Sequence, residues 1–179
     1  MLRRRDFILS TLALSLLAAR PAIAQQPRLD DGLRNNLKSL EALRGTVNDT
    51  AFDGRPVLVT FFASWCPPCR QEMGELARYI EENGNKVSMI AVNWMEGFVG
   101  RPNPRAVKRF VNIIPPSIPT VVGDDELGER LGGIRAVPAV VIFDGQGKQI
   151  FRLGGDSERD IGRFFITKRR LTGIIDGLP

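Results

Sequence analysis

The chain has 179 residues, 43% apolar and 25% charged, the balance of one globular domain rather than of a disordered polypeptide. It contains no histidine, which excludes histidine-based nucleophilic pairs, imidazole zinc sites and histidine acid–base chemistry. The net charge of +5 falls to +2 once residues 1–24, with Arg3, Arg4, Arg5, Arg20 and Asp6, are set aside, and no basic stripe interleaved with aromatics points to nucleic acid.

Arg3-Arg4-Arg5, the apolar run from Phe7 to Ala19 and the small-x-small ending Ala22-Ile23-Ala24 describe a signal peptide over residues 1–24, cut before Gln25. The run is short for a membrane span. Arg4-Arg5-Asp6-Phe7-Ile8 also fits the twin-arginine export pattern, with a strongly basic start for general secretion as the alternative. No cysteine follows the cut to carry a lipid anchor, although an uncleaved signal would still tether the domain. Either route ends in an oxidising compartment, the periplasm in a Gram-negative cell.

Residues 25–54 read as an N-terminal extension. Leu33, Leu37, Leu40 and Leu43 recur at helical spacing, which predicts a helix over 30–44, and 45–54 is turn-rich. The main domain is expected over 55–179. Val57 to Phe62 is a continuous β-favouring run, hence a buried strand. A helix follows from the cysteines to about Asn83, with Met73, Leu76, Ala77 and Ile80 inward and Gly84 as its stop. Val87 to Val92 is a second buried strand, completing a strand–helix–strand unit.

The segment 93–137 is longer than a crossover requires. Within it, 97–104 reads as loop, the stretch around Ala106, Val107, Phe110 and Val111 as helix, Pro119 to Val122 as a short strand, and Asp124 to Leu131 as a capped helix. Ala139 to Phe143 is a third core strand, and Asp144-Gly145-Gln146-Gly147 turns it into an antiparallel return over 148–153. A last helix is expected, capped by Asp156 or Ser157, with Ile161, Phe164, Phe165, Leu171 and Ile175 inward.

The two cysteines of the chain, Cys66 and Cys69, stand three positions apart in Trp65-Cys66-Pro67-Pro68-Cys69, so any intramolecular disulfide is local. Placed between a strand and a helix, Cys66 falls near the N-cap and Cys69 within the first turn. Free N–H groups and the partial positive charge of the helix start favour a thiolate there and lower the pKa of Cys66. Pro67 suits the first helical position, and Pro68 removes a second donor, leaving the amides of Cys69 and Arg70 to face the sulfur. Haem attachment would need histidine where Arg70 stands, and a zinc site would need more ligands than one cysteine pair. The motif therefore points to redox exchange, with no cofactor and no metal required.

The stretch from Val57 through Glu72, with Gly133-Ile134-Arg135-Ala136-Val137-Pro138 and the hairpin after it, resembles the TlpA/ResA branch of the thioredoxin superfamily over roughly 55–155. The resemblance implies an α/β thioredoxin-like fold, a central mixed sheet flanked by helices with a mid-fold insert, which the long segment 93–137 matches. It implies a periplasmic or membrane-tethered protein-disulfide reductase whose substrates are exported proteins, among them apocytochromes awaiting haem and copper-site proteins. A membrane protein would supply the electrons. Cys66 would attack, Cys69 resolve, and Trp65, Pro67, Pro68 and Val137 would frame the substrate. Pro138 would follow a cis bond beside the pair, turning the Val137 backbone toward an incoming peptide; a plain strand starter is the alternative.

Glu72, one turn after Cys69, matches the branch's acidic residue, a proton relay for the buried thiol; a solvated helix carboxylate is the alternative. Thr60 departs from thioredoxin, which has a buried aspartate there, and the segment before Arg55 lacks an obvious match to the opening hairpin. Two rival functions remain: oxidation of newly exported thiols, and Cu(I) carriage by the two thiolates. Pro67-Pro68 favours the reductant, because it brings no charge or side-chain donor that would hold the reduced form.

Overall fold

The computed structural model describes residues 26–154 and 164–178. Expectations for the signal peptide, for Asp156 or Ser157 as a cap and for Ile161 lie outside these residues. Helix α1 (Asp31–Ser39) starts where the Asp30 carboxylate accepts the Leu33 amide at 2.8 Å. It is shorter than the leucine spacing predicts. Leu40 turns extended, and Ala42–Arg44 forms β1, an edge strand. A 3-10 turn (Asp49–Phe52) leads to β2 (Val57–Phe62), followed by α2 (Pro67–Asn83) and β3 (Ser88–Asn93).

Helix α3 (Pro104–Val111), strand β4 (Thr120–Val122) and helix α4 (Asp125–Arg130) fill the insert. Asn103 and Asp124 cap the two helices through the Ala106 and Leu127 amides. Strands β5 (Ala139–Phe143) and β6 (Gln149–Leu153) form the hairpin. Helix α5 (Lys168–Asp176) is capped by Thr167, later than expected. Leu171 and Ile175 are buried as the spacing predicts, but Phe164 is exposed and Phe165 only half-buried, because both precede the helix rather than belonging to its inner face.

The six strands form one mixed sheet in the order β1-β4-β3-β2-β5-β6. Strands β2, β3 and β4 run parallel, and β1, β5 and β6 pair antiparallel to their neighbours. Alternation along β2 builds two cores. Val57, Val59 and Phe61 join Leu33 and Leu37 of α1 and Leu127 of α4 on one face. Leu58 and Phe62 join Met73, Leu76 and Tyr79 of α2, Phe110 of α3 and Leu171 of α5 on the other. Each fully buried side chain of this size contributes about 2 kcal/mol, so β2, buried at every position, anchors both layers.

Residues 26–54 are built into this domain. Besides β1 in the sheet, Leu29 donates its amide to the Gly147 carbonyl at 2.8 Å, and Arg28 bridges to Lys148. Arg44 ties the edge strand to the insert. Its guanidinium donates to the carbonyls of Val111 (2.7 Å), Ile114 (3.0 Å), Pro115 (2.8 Å) and Ile118 (3.2 Å), capping the C-terminal end of α3 and the turn beyond it. Among the described residues no helix is long and apolar enough to cross a membrane.

Candidate redox site

Strands β2 and β3 end side by side, with Phe62 opposite Asn93, and the site is built on the loops leaving these C-terminal ends. From Phe62 the chain turns through Ala63, Ser64 and Trp65 to Cys66, the N-cap of α2. The Cys66 sulfur accepts the Cys69 amide at 3.2 Å. Pro67 and Pro68 occupy the next two positions and have no N–H to offer. Cys66 and Cys69 are joined in a disulfide, with their α-carbons 5.3 Å apart. Cys66 keeps 3% of its surface exposed and Cys69 none, so an incoming sulfur can meet only Cys66.

The turn before Cys66 is clamped by residues that sequence reasoning missed. The Glu96 carboxylate accepts the Ser64 amide at 2.6 Å, the Ser64 hydroxyl at 2.7 Å and the Asn93 side-chain amide at 2.6 Å. Met95, in the left-handed region at φ 59°, turns its carbonyl to accept the Trp65 indole N–H at 3.0 Å. The Trp65 ring stacks on Phe98 with centroids 5.7 Å apart. The available signal was positional: an acid just past the end of β3 faces the loop leaving the end of β2.

Opposite this turn, Phe61 pairs with Ala139, so the Val137–Pro138 bond falls beside the strand end from which the Cys66 turn departs. That bond is cis, the geometry the resemblance implies. Pro138 is buried, and Val137 packs, partly buried, against both cores. Gly154, at φ 76°, lies so close to the Pro138 carbonyl that a β-carbon there would collide with it.

Glu72, one turn beyond Cys69, is fully buried. Its carboxyl accepts the Thr60 hydroxyl, in a short contact, and the Ile166 amide at 3.1 Å. Burial pushes its pKa up to about 7, against the opposing pull of these two hydrogen bonds. The solvated-carboxylate alternative is thereby excluded. The departure at Thr60 also gains an explanation: this chain carries its buried acid on the helix, with a strand hydroxyl as partner. Glu75, also on α2, accepts the Lys168 amide at 2.8 Å, so two α2 carboxylates hold the segment that opens α5. Among the described residues no cluster of histidine, cysteine, aspartate or glutamate could hold a metal ion.

The redoxin family profile matches residues 29–169, most of the chain. The chain belongs to the redoxin family. It is 32% identical over 120 residues to the thiol:disulfide interchange protein HelX of Rhodobacter capsulatus, covering 65% of this chain and 60% of HelX. To the thiol-disulfide oxidoreductase ResA of Halalkalibacterium halodurans it is 29% identical over 128 residues, covering 70% and 69%. A crystal structure of a secreted Mycobacterium tuberculosis disulfide oxidoreductase homologous to E. coli DsbE superposes with a TM-score of 0.61 at 18% identity, covering 83% of this chain and all of that one. These relatives lie in the TlpA/ResA/DsbE branch of the thioredoxin superfamily, and the fold of this redoxin is thioredoxin-like. The chain spans less than two thirds of the length of several relatives it matches, HelX included.

The raised pKa of Glu72 makes a stability prediction. The folded protein holds this proton more tightly than the unfolded chain, whose glutamate titrates near 4.5. The stability that this group contributes is therefore fully present below about pH 4.5 and is lost as pH rises from there through about 7. Glu72→Gln removes the ionisation, while the amide still serves both partners: its oxygen accepts from Ile166 and its N–H donates to Thr60. In urea unfolding, the variant is expected to gain about 2 kcal/mol on the parent between pH 5 and pH 8. A difference that stays constant with pH would contradict the assignment.

Proposed function

We propose that this chain is an exported thiol–disulfide oxidoreductase that reduces disulfides in other exported proteins. The observation that carries this reading is the Cys66–Cys69 disulfide at the start of α2, of which Cys66 alone reaches the surface. In the reduced protein, the helix start and the Cys69 amide favour a thiolate at Cys66. That thiolate attacks one sulfur of the substrate disulfide. A mixed disulfide forms, and the other substrate sulfur leaves as a thiolate. Cys69, once deprotonated, attacks the Cys66 sulfur. The second substrate thiol departs, and two electrons have passed from the protein to the substrate. A membrane electron-donor protein then reduces the Cys66–Cys69 bond again.

Glu72 serves this cycle as the proton partner of Cys69. Its neighbouring position on the buried face of α2 and its titration near neutral pH suit it to take the Cys69 proton when the thiol resolves and to return it when the pair is reduced. Trp65, Pro67, Pro68, Val137 and Pro138 frame the groove around Cys66, with the Val137 backbone offered to an extended substrate segment. Cysteines of apocytochromes or of copper-site proteins are the substrates this reading favours. The signal-like residues 1–24 and the relatives described as interchange proteins support export and redox exchange.

Cys69→Ser removes the resolving thiol and is expected to accumulate mixed disulfides through Cys66, at least tenfold above Cys66→Ser in non-reducing gels and mass spectra of exported proteins. Equal trapping by both variants would reverse or remove the assignment. With both cysteines present, Glu72→Gln is expected to slow exchange at pH 7 several-fold and to erase the inflection near that pH from the rate profile. A profile identical to the parent's would remove Glu72 from the proton path.

A further inference from the structure

The described surface beside Cys66 carries an apolar step with a basic rim, and nothing in the redox cycle itself uses either. Phe98 is 70% exposed and Val99 61%, although Phe98 stacks on Trp65, the residue before Cys66. From residue 97 to residue 123 the sequence has four basic side chains, Arg101, Arg105, Lys108 and Arg109, and no acidic one. All four are exposed, and none forms an ion pair among the described residues. Arg105, Lys108 and Arg109 fall at helical spacing on the solvent side of α3, whose other side buries Phe110 and Val111. The insert is fixed to the redox helix at a second point. The guanidinium of Arg70, next to Cys69, lies 5.3 Å from the centre of the Phe110 ring, and Phe110 stacks on Phe62 at 4.7 Å. The helix that carries three of the basic side chains is thus packed against the strand and the helix that flank Cys66.

An unpaired cluster of one sign beside a reactive group raises the local concentration of oppositely charged partners and speeds their encounter. The apolar step at Phe98 and Val99 offers contact area at the centre of such a docking site, with the charges at its rim. We propose that Phe98, Val99, Arg101, Arg105, Lys108 and Arg109 form the docking surface for an acidic segment of the substrate protein that also presents an apolar side chain beside its target cysteine. This rests on the redox reading above and names the class of substrate segment it selects. A membrane surface with anionic headgroups offers similar chemistry. The direct stack of Phe98 on Trp65 favours the protein segment, because lipid seated on this step would cover the approach to Cys66.

The test uses the full chain, with a dithiol as the electron donor, and two disulfide-linked fluorogenic peptides with leucine beside the cysteine, one flanked by aspartate and glutamate, the other by lysine. Rates are divided by that for 2-hydroxyethyl disulfide measured with the same protein, which separates docking from chemistry. The parent is expected to favour the acidic peptide about tenfold in kcat/KM at low salt, with the preference shrinking as salt rises. The triple variant Arg101→Glu/Arg105→Glu/Lys108→Glu should reverse the order of the two peptides. Equal rates for the two peptides with the parent, at any salt, would overturn the proposal even if the variant failed to fold. Charge-dependent sedimentation with phosphatidylcholine–phosphatidylglycerol vesicles, without peptide preference, would also overturn it and assign the face to membrane. If the parent turned over neither peptide nor the small disulfide, the redox reading itself would fall; loss of preference with turnover retained would remove only the docking surface.

Discussion

The structure depends on where α2 begins. Strand β2 is buried at all six positions and delivers the chain to Cys66, and the helix starts there because its N-cap is the nucleophile candidate itself. Most helices cap this position with an oxygen side chain. Here a sulfur accepts the Cys69 amide, and the two intervening prolines supply the right φ without adding donors. The sulfur therefore feels the helix polarity through few N–H groups. Had the turn been free to shift, that limited stabilisation would have been lost. Glu96 and Met95 prevent this by holding Ser64 and Trp65 from the neighbouring strand end, with the Asn93 side-chain amide donating to the Glu96 carboxylate.

The second constraint works against stability. A carboxyl with no exposed surface, one turn from Cys69, costs folding energy that grows as pH rises from about 4.5 and reaches on the order of 3 kcal/mol above about pH 7. An apolar residue at position 72 would avoid that cost. Thr60 and the Ile166 amide reduce it without cancelling it, and the C-terminal segment is recruited to do so. Local choices that lower stability concentrate where function requires them. In the proposed cycle Glu72 is such a choice, whereas the Glu75 carboxylate satisfies an amide at the start of α5.

Much of the fold was legible because burial writes itself into runs of residues. The strands β2, β3 and β5 are buried at every position and mostly apolar, and α2 is bracketed by the cysteine–proline motif and Gly84. Where tertiary pairing decides, the sequence was weaker. Leu40 and Leu43 continue the helical spacing of Leu33 and Leu37, yet Ala42–Arg44 pairs with β4, because a sheet edge and the Arg44 carbonyl cluster lie within reach. Phe164 and Phe165 kept an apolar rhythm that the late start of α5 does not use. In the site, the cysteines and Pro138 stood out by residue type. Glu72 left two alternatives open because its decisive partners, Thr60 and Ile166, lie 12 and 94 residues away. Glu96 gave no local sign, since its role exists only once the ends of β2 and β3 are side by side.

The central claim is that the start of α2 sets the Cys66–Cys69 pair as a reductant. Equilibrating the purified protein with thiol–disulfide buffers of known potential at pH 7, and following the reduced fraction by alkylation and mass spectrometry, measures this directly. With Pro67-Pro68 withholding backbone donors and supplying no side-chain charge, the potential should lie near that of thioredoxin, about −270 mV. A value close to that of a strong oxidant of this fold, about −120 mV, would contradict the account and make the pair a thiol oxidant instead.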